Sequence, residues 1–127
     1  MTRNALKIIN TAMDHLGLEY GFARYIKNPV EYPYWVGEYH EAPPVYESGL
    51  TTSTFTLTGF HRGTWEDLEK QKESIENYFN KVSGKVVMVE DGSAVAIFYA
   101  SSFVVPTVDA ELKRIQINLD VHEWSVK

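Results

Sequence analysis

Four histidines, His15, His40, His61 and His122, are the side chains of this sequence best suited to bind a metal or move a proton near neutral pH. His40 and His61 fall at the ends of extended segments and could approach each other, with Glu38 or Glu41 adding an oxygen ligand. These donor types suit zinc, but no two of them stand at the short spacing of a metal motif. The simpler reading is a set of solvent-exposed histidines at strand ends, and no metal site is expected. Serine and histidine are present without a G-x-S-x-G elbow or a comparable frame for a nucleophile. The carboxylate pairs Glu38/Glu41 and Glu90/Asp91 are of the kind that any chain with 17 acidic residues offers, and they read as solvated faces or turns. Gly59, His61 and Gly63 precede a helix whose N-terminus could meet a phosphate, yet the spacing fits neither G-x-G-x-x-G nor a Walker pattern. No catalytic residue and no cofactor-binding residue is therefore assigned, and the chain is expected not to be an enzyme.

Composition narrows the classes further. The 127 residues fit one domain, 1–127, large enough to bury a core without staples. Cysteine is absent, which removes disulfides, thiolate nucleophiles and cysteine-ligated zinc. A hydrophobic share of 44% with 23% charged residues is that of an ordinary globular chain. The net charge of -5 disfavours a broad nucleic-acid surface, although Lys81, Lys85, Lys113 and Arg114 could form a local basic patch. The opening residues lack the apolar run of a signal peptide, and no stretch approaches the about 18 apolar residues of a membrane span. A soluble protein is expected.

Which elements would position these side chains follows from periodicity. Leu6, Ile9, Met13 and Leu16 recur at helical spacing, so 3–16 reads as an amphipathic helix capped by Thr2 and stopped at Gly17. Residues 18–26 read as extended, with Tyr20, Phe22, Arg24 and Ile26 on one face. Residues 32–39 read as a strand starting at Pro33 or lying at an edge, with Tyr32, Tyr34 and Val36 on one face and Trp35 and Tyr39 on the other. His40–Thr52 reads as a long loop, in which Val45-Tyr46 could add a brief strand. In 54–60, Phe55 and Leu57 face one way and three threonines the other. After a turn at His61-Arg62-Gly63, Thr64 caps a helix over 65–81 whose stripe is Leu68, Ile75 and Phe79 with the Lys72 stem. A hairpin around Asp91-Gly92 joins 85–90 to 94–100, residues 101–110 read as a loop, and Ile115, Ile117, Leu119 and Val121 mark a closing one-sided strand. The expected fold is α+β, a mostly antiparallel sheet with two helices packed on one face. Its second face, lined by Thr, Gln, Asn, Tyr and Trp, is left for water or for another copy.

The densest signal is aromatic. Tyr25, Tyr32, Tyr34, Trp35, Tyr39 and Tyr46 fall within about a fifth of the chain, and such side chains combine apolar area with a polar handle suited to interfaces. The alternative use of these rings is to complete the core. Tyr34, Trp35, Tyr39, Tyr46 and Trp124 are taken as interface candidates.

The early helix, the segment Tyr32-Pro33-Tyr34-Trp35-Val36-Gly37-Glu38-Tyr39, the helix after Thr64 and the closing strand Leu112–Leu119 follow one another in an order that resembles the tail terminator (head-tail joining) proteins of siphophages and prophages. That resemblance implies a structural protein without cofactor, a homo-oligomeric ring, commonly a hexamer, that caps the tail tube and joins it to the head connector. It implies as partners other copies of the chain, the tail tube protein and the connector or neck protein, and neither a membrane nor sequence-specific nucleic acid. The implied location is the virion tail, and the host cytoplasm during assembly. Subunit contacts would use 32–39 and the loops 40–52 and 101–110. Another neck or head-completion component fits the same features. So does an enzymatic or small-ligand-binding α+β domain with a pocket near His40 and His61.

Overall fold

A computed structural model describes residues 1–41, 50–80, 82–89 and 92–124. Helix α1 (Arg3–His15) and strands β1 (Glu19–Phe22), β2 (Tyr34–Glu41) and β3 (Leu50–His61) come first. Helix α2 (Trp65–Tyr78) and strands β4 (Lys85–Met88), β5 (Ala94–Val104) and β6 (Lys113–Trp124) follow. The six strands form one sheet in the order β1-β2-β3-β6-β5-β4, antiparallel throughout except for the parallel β1–β2 pair. The α+β expectation holds: the sheet is mostly antiparallel, and the helices bring Ala5, Ile9, Ala12, Met13, Leu68 and Ile75 into a core shared with the strands.

Both helices start as the sequence dictates. The Thr2 side chain accepts from the Ala5 amide at 3.3 Å, and the Thr64 side chain accepts from the Asp67 amide at 3.2 Å. Thr2 also donates its hydroxyl to Glu123, a carboxylate only 8% exposed, which ties the start of α1 to the end of β6. The core face of the sheet carries Trp35, Phe55, Leu57, Ile97, Tyr99, Ile115, Ile117, Leu119 and Val121. Each fully buried Ile or Leu among them contributes about 1.5–3 kcal/mol relative to exposure.

Four expectations about segments change. Strand β1 stops at Phe22 because Ala23 turns the chain at φ 66, and Ile26 beyond it is exposed. His40, Glu41 and Leu50–Thr52 belong to strands; the remainder of the expected loop, 42–49, lies outside the described residues. Likewise 101–104 continue β5 past a bulge between Tyr99 and Ser101. Helix α2 ends at Tyr78, short of Lys81, which is itself outside the described residues. The added strand residues follow their partners: His40 and Glu41 pair with Thr54 and Ser53 of β3, and β6, 12 residues long, offers ladder positions from Leu50 to His61 on one side and from Ala94 to Val104 on the other.

Candidate interaction face

Strand pairing fixes which side chains share the face opposite the helices. One cross-strand row is Tyr34–Phe60–Arg114, and at the other end of the sheet lie Thr52–His122–Ala96–Val86 and Leu50–Trp124–Ala94–Met88. Between them stand polar residues joined side chain to side chain. Thr56 donates to Asn118 at 3.3 Å, Gln116 donates to the same Asn118 oxygen at 3.2 Å, and the Asn118 amide donates to Ser101 at 3.2 Å.

The first row is part of a longer column of rings. Tyr25 stacks on Tyr34 at 4.5 Å between centroids, Tyr34 on Phe60 at 5.0 Å, and the Arg114 guanidinium lies 5.4 Å from the Phe60 ring centre. Partial burial in this column raises the Tyr34 phenol above its ordinary pKa. For Tyr25 burial is again the largest cause of a raised pKa, followed by donation of its hydroxyl to Glu19 at 2.8 Å. Beside the column lies an open groove of about 290 Å³ walled by Arg24, Tyr25, Tyr34, Glu38, Phe60 and Arg114.

The opposite end is more apolar. Met88 is 68% exposed, Val86 and Trp124 are exposed as well, and Trp124 stacks on His122 with centroids 6.1 Å apart. Phe98 meets the other side of the network edge-on to His122 at 5.6 Å. A second open groove, about 300 Å³, is lined there by His40, Glu41, Thr52, Thr54, Asp120 and His122. Among the described residues no group of three or more His, Asp or Glu is placed to hold a metal ion.

The five interface candidates are dispersed. Tyr34 and Trp124 share the open face but sit at opposite ends of it. Tyr39 is on the helix side of the sheet, 38% exposed and stacked with Phe22 at 6.0 Å. Trp35 is a correction: at 0% exposure it is a core residue, its ring against Gly59 and its indole N–H donating to Gln71 at 2.8 Å. Tyr46 lies outside the described residues. Phe60, Arg114, Arg24 and Met88 were missed as surface-site residues. The alternation in 54–60 already puts Phe60 with the threonines, and that in 114–121 puts Arg114 with Gln116 and Asn118. What no local pattern supplies is the β3–β6 pairing that brings the two together.

The histidine expectation fails in two respects. His40 pairs with Thr54 whereas His61 ends β3, so the two are roughly 23 Å apart at ~3.3 Å per strand residue and on opposite faces. A shared pocket is therefore excluded. Nor is His61 exposed: it is 8% accessible, its Nε2 lying 3.4 Å from Asp67. Space for its ring comes from Gly63, where a Cβ would stand 2.4 Å from that nitrogen. The Thr64 hydroxyl first and His61 second hold the Asp67 carboxyl below its usual pKa.

No protein-family model matches the chain, and no curated protein sequence matches it.

Proposed function

We propose that the chain is a non-catalytic, self-associating virion assembly protein of the tail-terminator kind. In this reading it is a ring subunit that caps a tail tube and meets the head connector. The observation that carries the reading is the uncovered face of the sheet. Helices cover only one side, and the other presents exposed Met88, Val86 and Trp124 at one end and the Tyr34–Phe60–Arg114 row at the other. Large exposed apolar groups gathered on one uncovered face favour a protein partner over plain solvation. The two ends differ in chemistry, as a head-to-tail contact between unlike surfaces requires. Both grooves on this face are open, and neither has the enclosed apolar form that suits a small substrate.

Native mass spectrometry over a concentration series tests the proposal. A closed ring of the 14.5 kDa chain, with six copies as the leading expectation, supports it. A strict monomer moves the test to co-sedimentation with purified tail tubes, since a ring can also assemble on its partner. Absence of binding there rejects the terminator assignment, and binding to a connector instead assigns the chain to another neck component.

A further inference from the structure

The groove at the aromatic end of the open face has an electrostatic character at odds with the whole chain. Net charge is -5, yet Arg24 and Arg114 both line this one groove, and neither guanidinium makes an ion pair or hydrogen bond with a described residue. Arg114 is the more telling. Its Nε is enclosed without an acceptor, its guanidinium lies 5.4 Å from the centre of Phe60, the last ring of the Tyr25–Tyr34–Phe60 column, and the two Nη ends of the fork are not among the enclosed atoms that lack a partner. An oxygen anion in the groove would meet those outer nitrogens, and charge-assisted bonds to a guanidinium fork are the strong ones.

We propose that this groove docks an extended acidic peptide segment of a partner protein, with Arg114 and Arg24 receiving a carboxylate and the Tyr34–Phe60 surface taking an adjacent aromatic or apolar side chain. The proposal rests on the reading of the open face as a docking surface and names the chemistry of what docks there. Stacked rings beside arginines also suit single-stranded nucleic acid. Charge decides against that ligand: Glu38 stands on the groove wall and Asp120 lies further along the same face. One carboxylate can sit between the arginines, whereas a run of phosphates would have to pass these acids.

The probes are acetyl-Glu-Tyr-Glu-amide, its neutral counterpart acetyl-Gln-Tyr-Gln-amide and an eight-residue oligodeoxythymidine. Each is titrated into the isotopically labelled full chain while the Arg side-chain Nε–Hε resonances are followed by NMR. The acidic peptide should move the Arg114 signal saturably and bind at least tenfold more tightly than the neutral one. Arg114→Gln should weaken it tenfold or more, and Arg24→Gln, at an exposed position, should weaken it in the same direction. Lys113→Gln removes an equal charge from the opposite side of the same strand and should leave affinity within twofold. The idea is overturned if the neutral peptide binds as well, if Arg114→Gln does no more than Lys113→Gln, or if no probe moves the signal. Tighter binding of the oligonucleotide overturns it in favour of nucleic acid. A failed ring in the mass measurement leaves these outcomes unchanged, so the two readings stand or fall separately.

Discussion

Trp35 and Gly59 face each other directly across β2 and β3, and an ideal Cβ at Gly59 would stand 2.7 Å from two carbons of the Trp35 six-membered ring and 2.8 Å from a third. Comfortable carbon contacts begin near ~3.5 Å, so Gly59→Ala has to push the ring or the strand by roughly 0.8 Å. The ring is fully buried and cannot escape to solvent. Overpacking of this kind costs about 1–3 kcal/mol. Trp35→Phe removes the outer ring atoms and the 2.8 Å bond to Gln71, for which about 1–3 kcal/mol is expected. In that background Gly59→Ala meets the space the indole has vacated. The double mutant should therefore be more stable than the sum of the singles implies, by about 1 kcal/mol or more. Urea unfolding followed by far-ultraviolet circular dichroism measures all four proteins, and avoids a fluorescence signal that the Trp35 change itself alters. Total stability of a domain this size is about 5–15 kcal/mol, so each protein should remain folded in buffer. If the two substitutions add to within about 0.5 kcal/mol, the indole does not depend on Gly59 and the account of this part of the core is wrong.

Thr64→Ala removes the hydroxyl that accepts from the Asp67 amide and should cost about 1 kcal/mol in urea unfolding; Thr64→Ser should restore most of it. The lowered pKa values of Asp67 and of Asp109, the latter owed first to the Glu111 amide and next to Arg62, make an acid-limb prediction. A carboxyl whose folded pKa lies below its unfolded value lends stability that is fully present above the unfolded pKa, about 3.9, and is lost as pH falls through the folded one. Tm against pH should thus drop below about pH 4, and Asp67→Asn or Asp109→Asn should each flatten that limb while leaving the shape of the curve above pH 6 unchanged. Met88→Lys and Trp124→Ser, both at exposed positions of the open face, should change unfolding free energy by no more than about 1 kcal/mol yet reduce self-association in the mass measurement; a full loss of folding in either would contradict their placement.

Much of the fold was legible because it is locally encoded. The α1 stripe, the Thr64 cap, the pairing of the strands that flank the expected turn and the alternation of Ile115 to Val121 each sit inside a short window, and each reappears in the structure, Asp91 of the turn itself lying outside the described residues. The lengths of β3 and β5 were not legible. They are set by β6, whose register with both neighbours is a long-range property. Residues 18–26 misled because alternation persists in the sequence past Ala23, where the backbone turns at φ 66 and the column places Tyr25 on Tyr34. Trp35 misled for a related reason. In an aromatic strand with apolar groups on both faces, composition cannot say which face the helices will cover, and here they cover the one with Trp35.

The two faces of the sheet are built on different rules, and this difference links fold to function. On the core face branched aliphatics, Phe55 and Trp35 fill space under the helices, and the carboxylate and lysine side chains of that face, Glu41, Lys85, Lys113 and Glu123, fall at or next to strand ends. On the open face threonines, amides and aromatics alternate with single charges, and the groups that find partners do so within the face, as Thr56, Gln116, Asn118 and Ser101 do. Such a network satisfies its own polar atoms and so stays rigid in water without a cover. Groups left over from this accounting are few and sit at the two ends: exposed Met88, Val86 and Trp124 at one, the unpaired arginines beside Phe60 at the other. A surface selected only for solubility has no need to separate an apolar end from a cationic aromatic end across a satisfied polar middle. The two distinct contacts proposed above, one at each end of the face, do need that separation.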